Sequence, residues 1–332
     1  MPRKWLSIAL LNFFLAGCLG VLMRFAFVSE VSWMDYRYIM HAHSHMAMLG
    51  WLYLSLFILL VSYFLDAHQQ SKSIYKRLFA LTQIAVIGMF LSFPFQGYGL
   101  YSITFSTLHI LLSYAFAYRF IKDLGSNGDH HFASLLFVKS ALGLMIISTF
   151  ALFAMAPVMA SEMKQSAWYY GLVQFFLHFQ FNGWYIFGIL SLSFRLLEYW
   201  NIIIPKRKVI IFYSLLLFSC LFTFALAVTW STPVSGLFWI NSLGVSLQFL
   251  ALVYLFRMLK PYYSSIRRKL QGWILALFSI AVLSFIMKIV VQSAVVIPYI
   301  ATVAYTIRLY VIGFIHLILL ACITAAVFAF AS

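Results

Sequence analysis

Acidic residues are nearly missing from this chain: seven Asp and Glu stand among 332 residues, against 22 Lys and Arg, and charge of either sign accounts for only 9%. With 64% hydrophobic residues and a mean hydropathy of +0.98, no single water-soluble core of this size can hide the apolar side chains. Cysteine is scarce too. Cys18, Cys220 and Cys322 each lie in an apolar stretch and none belongs to a Cys-x-x-Cys pair, which excludes zinc or dithiol chemistry on paired cysteines and leaves them as small core residues. Mid-span proline is equally rare. Pro94, Pro157, Pro233 and Pro298 fall near the ends of apolar runs, so the matched helix breaks of many transporters are lacking. No soluble domain or low-complexity linker is visible, and any chemistry belongs in or beside a membrane.

What is present is apolar sequence in long runs, near 5–28, 38–65, 78–97, 101–122, 132–158, 167–194, 209–231, 236–258, 271–297 and 303–330. Each is close to or above the roughly 20 residues that cross a bilayer as helix. The expected fold is therefore all-α and integral to the membrane, about ten transmembrane helices in one polytopic domain, 1–332. The first run is read as a span rather than a cleaved signal, because it is long and lacks a small-residue cleavage site. Aromatic residues, 19% of the chain, suit lipid-facing and interfacial positions.

Cation placement predicts orientation. One side collects Arg3, Lys4, Lys72, Lys76, Arg77, Arg119, Lys122, Arg195, Lys206, Arg207, Lys208, Arg257, Lys260, Arg267, Arg268 and Lys269, and the other only Arg37 and Lys164. Lysine and arginine stay on the cytoplasmic side, so both termini are expected there, in a bacterial-type inner membrane, with even-numbered helices running inward. The excess positive charge thus serves topology, and no nucleic-acid partner is implied. His68, His130 and His131 fall in cytoplasmic loops and read as solvated.

Six histidines remain within apolar runs: His41, His43, His45, His109, His178 and His316. An imidazole in hydrocarbon needs a hydrogen-bond partner or a metal; a helix-to-helix hydrogen bond is the plainer of the two readings. The second run contains His41-Ala-His43-Ser-His45-Met-Ala-Met-Leu-Gly50-Trp51 and the sixth His178-Phe-Gln-Phe-Asn182-Gly183-Trp184, both obeying His-x4-Gly-Trp. The tenth keeps His316 with small Ala321 at the glycine offset. Four runs separate each pair, so a four-helix unit is expected to repeat as a pseudo-threefold set with its third member truncated, roughly 1–130, 131–268 and 269–332. At 1.5 Å per residue His45 lies roughly 10 Å, and His178 and His316 roughly 15–20 Å, below the outer surface. His41 and His45 share a helix face, while His43 points nearly opposite. His109, on another inward-running helix, is a secondary metal candidate.

Arg24, Arg308 and Lys288 lie inside runs toward their outer ends and Arg37 just outside one. Cations at one level call for anions, and haem propionates would supply carboxylates there, with iron held deeper by histidine. Snorkelling is the other reading.

Histidines on the second, sixth and tenth helices of a four-helix repeat resemble the large catalytic subunit of haem-copper oxidases and their nitric-oxide-reductase relatives. The resemblance covers most of the chain as architecture and implies metal ligation by His45 or its neighbours, His178 and His316, with haem b between His316 and a second-helix histidine. Departures are specific: Val209 to Ser231 lacks the histidine pair of the family's seventh helix, and Asn182 stands where the reductases carry glutamate. A haem-binding redox protein, or one concerned with nitric oxide or oxygen, is expected, without a complete binuclear centre and served by an electron donor or other respiratory subunits. Copper or another transition metal at His41, His43 and His45 is the second expectation. A transporter or structural protein with purely structural histidines is the third.

Overall fold

The computed structural model describes residues 3–125, 131–163, 166–229, 234–297, 299–301, 304 and 307–332. Lys164, His130, Pro233 and Pro298 lie outside them. Among the described residues the chain is helical without strands, as expected where every backbone group must be satisfied within its own segment. Among the described residues nine helices are long and apolar enough to cross a membrane, so this is a multi-pass membrane protein in contact with lipid.

The chain divides into two compact units, Met1–Ser126 and Asn127–Ser332, where one domain is expected from the sequence. The first holds α1 (Arg3–Phe25), α2 (Tyr36–Phe64), α3 (Ser73–Gln96) and α4 (Leu100–Asp123). The second holds α5 (Phe132–Ala160), α6 (residues 167–199), α7 (Lys206–Thr229), α8 (Ser235–Leu259), α9 (Gly272–Ala294) and α10 (residues 308–331). Each of the ten expected runs contains one of these helices, and α6 is the one not among the nine. Gln174, His178, Gln180 and Asn182 lower its hydropathy.

Helix ends follow local chemistry. Asp35 caps α2 by accepting from the backbone N–H of Arg37 at 2.8 Å and Tyr38 at 3.2 Å, and Ser166 caps α6 through Tyr169, each satisfying a donor that the first turn leaves open. Gly97 ends α3 at φ +56°, where a Cβ would also strike the Tyr38 ring at 2.4 Å, so only glycine serves there.

In the first unit α2 is the core helix. Trp51, Phe57 and Leu60 are buried on it, and Phe57 packs on Phe116 of α4 with ring centroids 4.3 Å apart. In the second unit Phe137 of α5 is ringed by Phe187 and Phe194 of α6 and Phe212 of α7, at 5.6, 5.0 and 5.7 Å.

Both units carry ion clusters at the helix ends nearest the basic loops. Asp123 meets Lys72 at 3.0 Å, Arg119 at 2.7 Å and the Tyr75 hydroxyl at 2.9 Å. Glu198 takes the Ser134 hydroxyl at 2.6 Å and His131 Nδ1 at 3.1 Å. His131 is therefore a hydrogen-bond partner of Glu198 and not merely a solvated loop residue, because Glu198 is held within reach by α6.

Candidate functional site

Each repeated histidine is the last residue before a π-helical segment: His45 precedes Met46–Tyr53 in α2, His178 precedes Phe179–Tyr185 in α6, and His316 precedes Leu317–Thr324 in α10. A π segment inserts one extra residue into an α-helix, which re-aims the preceding side chain, and such segments concentrate at functional sites. Three equivalent insertions at three equivalent histidines extend the repeat from sequence into backbone geometry.

The glycine of His-x4-Gly-Trp has a packing cause. A Cβ on Gly50 would meet Met46 Sδ at 2.8 Å and Val86 Cγ1 at 2.9 Å, and one on Gly183 would meet Leu144 Cβ at 2.8 Å. Each widened turn is thus pressed against a neighbouring helix, and the following Trp51 and Trp184 are 1% and 0% exposed. Asn12 of α1 donates Nδ2 to the Gly50 carbonyl at 2.8 Å and pairs reciprocally with Gln83 of α3. In α10, Thr324 donates to the Leu319 carbonyl five residues back at 2.9 Å.

The histidines divide by their hydrogen bonds. His45 Nδ1 lies 2.8 Å from the His41 carbonyl and His316 Nδ1 2.8 Å from the Ile312 carbonyl, both four residues back. A carbonyl only accepts, so Nδ1 donates in each ring, and in the neutral imidazole that leaves the lone pair on Nε2, the tautomer that a metal-binding imidazole takes when a carbonyl orients it. His316 is exposed. His178 has its ring bonded on both sides: Nε2 donates to the Cys220 carbonyl at 2.8 Å, and Nδ1 faces the Asn182 amide at 3.4 Å. It makes the plainer helix-to-helix contact weighed from the sequence.

His43 turns away from His41 and His45, its Nδ1 lying 2.8 Å from the Ala16 carbonyl of α1. His41 packs edge-on against Tyr98 at 4.6 Å, and His45 against Phe93 at 4.4 Å. His109 is 4% exposed, lies 4.7 Å from the Tyr53 ring and has no partner for Nε2. His45 and His109 each stand nine residues into their helices, about 14 Å along the axis from the helix start, and lie within electrostatic reach of each other. Among the described residues no group of three or more His, Cys, Asp or Glu is placed to hold a metal ion.

No protein family matches the chain, and no curated protein does.

The cations expected beside propionates separate as well. Arg24 and Arg37 are exposed at the ends of α1 and α2, which fits snorkelling. Arg308 opens α10, and its side chain lies outside the described residues. Lys288 differs from all of them: it is 2% exposed, within α9 toward its C-terminal end. The π segments, Asn12 and the buried polar residues of α8 went unread in the sequence. Asn12, Asn241 and Gln248 carried a usable signal, being amides inside apolar runs.

Proposed function

We propose that this is a haem-binding membrane redox protein, or one that responds to nitric oxide or oxygen, of oxidase-like repeat architecture and without a complete binuclear centre. The observation that supports it best is a buried imidazole nitrogen, His109 Nε2, left without a partner at the depth of His45, whose tautomer leaves Nε2 as a donor to metal. An unpaired buried nitrogen costs about 1–3 kcal/mol, and ligation removes that cost.

The donor set favours haem over a bare ion. Structural zinc takes four protein ligands and catalytic zinc three, whereas only groups smaller than three occur among the described residues. Haem brings four equatorial nitrogens and needs one or two axial imidazoles. In the first unit His45 and His109 are the residues to hold iron, and in the second His316. Bound haem b would supply one-electron chemistry at that level. The chain's own groups fix the His45 ring through the His41 carbonyl and exclude water with Phe93, Tyr98 and Tyr53. An electron donor, a respiratory subunit among the candidates, would complete the function. The charge bias supports an inner-membrane location with both termini cytoplasmic.

Detergent-purified protein expressed with haem supply is expected to show a Soret band and a reduced-minus-oxidised difference spectrum. His45→Ala should lose most of the bound haem, and His109→Ala should lose it or shift the spectrum. His43→Ala should retain it, since that ring is engaged with α1. A colourless, iron-free wild type ends the proposal.

A further inference from the structure

Among the described residues no carboxylate pairs with the buried Lys288. Its electrostatic neighbours are Cys220 of α7, Cys322 of α10 and His178 of α6, none of them an acid. Among the described residues the second unit has two acids: Glu198 is engaged with Ser134 and His131 at the opposite helix ends, and Glu162 is exposed in a loop. An isolated buried ammonium is strongly disfavoured unless an opposite charge reaches it or it gives up its proton.

Unpartnered polar atoms cluster around the same helices. On α8, Asn241 is 0% exposed with neither Oδ1 nor Nδ2 bonded, and Gln248 is buried with Oε1 unbonded. Both lie on the stripe of Gly244, where a Cβ would strike Phe222 and Thr223 of α7 at 2.8 Å, so the amides sit in the layer packed on the helix of Cys220. One turn beyond Lys288, Gln292 is buried with Oε1 unbonded. Lys288 lies six residues from the end of α9 and Asn241 six from the start of α8, so each is about 9 Å deep from the ends away from the basic loops. The buried ammonium asks for an anionic acceptor, while the orphaned carbonyl oxygens are what water would satisfy.

We propose that Lys288 is the anchor of a binding site for a small monovalent anion, a halide or a carboxylate, held in the second unit among α7, α9 and α10. The anion neutralises the ammonium inside the helix layer. The site does not depend on the haem reading, although a haem propionate carries the same carboxylate chemistry as a free anion.

The test is equilibrium dialysis of full-length protein in detergent against radioactive chloride at constant ionic strength, with Lys139→Gln as a control at an exposed intramembrane lysine. Wild type and control are expected to bind about one chloride per chain, and Lys288→Met at least about tenfold less. The methionine variant removes the charge at similar volume and is expected to fold, as its thermal midpoint would show. That midpoint should be indifferent to exchanging chloride for isethionate, whereas wild type should lose stability in isethionate. Chloride bound in haem-free and haem-loaded protein alike identifies a free anion, and chloride bound only without haem identifies the propionate. Equal binding by wild type and Lys288→Met, or a wild type whose midpoint ignores chloride, overturns the site and means that the amine sheds its proton instead.

Discussion

At Gly50 a single hydrogen stands where any other residue would drive a methyl group into Met46 and Val86. Interiors packed this closely tolerate an added carbon poorly, at about 1–3 kcal/mol when neither neighbour can withdraw. Gly50→Ala should therefore lower the thermal midpoint of the purified protein, and Gly183→Ala, facing Leu144 Cβ at 2.8 Å, should do the same. Gly143 on α5 has nothing within 4 Å of its missing Cβ, so Gly143→Ala should be neutral or stabilise by up to about 1 kcal/mol through helix propensity. Equal destabilisation at all three positions would show that glycine matters there for backbone freedom rather than close approach. The contrast also separates the parts of the motif: in α2 the histidine of His-x4-Gly-Trp answers to a carbonyl of its own helix and in α6 to the Cys220 carbonyl of α7, while each glycine answers to a helix packed across it.

On the scale of a helix, the π segment of α2 widens a turn and frees the Gly50 carbonyl to accept from Asn12, which also pairs with Gln83. Three helices are thus pinned at one level by one amide. Asn12→Leu should cost about 1–3 kcal/mol, because it strands a buried carbonyl and one face of Gln83. Adding Gln83→Leu should recover part of that loss, since removing both partners is cheaper than removing one, and a double-mutant cycle in stability reads the coupling directly. If Asn12→Leu leaves stability unchanged, the π segment does not rely on α1. Polar and proline-bearing breaks made the ten long helices legible in the sequence, though not the short helix Tyr263–Lys269, and the four-run spacing singled out His45, His178 and His316. The π insertions were not legible. His-x4-Gly-Trp is as compatible with an α-helix as with a widened one, and the extra residue is spread over several backbone hydrogen bonds with no side chain to mark it. Partners set by tertiary contact were hidden for the same reason: nothing local says that His178 will find the Cys220 carbonyl, or that His43 will find that of Ala16.

For the whole molecule, the decisive element is α6, whose polar residues keep it out of the set of plainly apolar spans. Those residues do not need to face lipid. Gln180 donates to Ser148 of α5 at 2.9 Å and His178 to the Cys220 carbonyl, so the protein interior supplies what hydrocarbon cannot. Charge bias gives an independent reason for α6 to cross. If it did not, the parity of every later helix would invert, and Arg257, Lys260, Arg267, Arg268 and Lys269 would sit opposite the remaining basic loops, against the cost of translocating clustered cations. Two single-cysteine proteins with Cys18, Cys220 and Cys322 replaced settle the matter: Ser29→Cys between α1 and α2, and Ser264→Cys in the short helix Tyr263–Lys269, both at exposed positions. With α6 crossing and the N-terminus cytoplasmic, a membrane-impermeant maleimide on intact cells should label the first and spare the second until the membrane is opened. Labelling of both would make α6 a re-entrant or interfacial helix, and labelling of the second alone would turn the protein over, placing the His45 end of α2 on the cytoplasmic side.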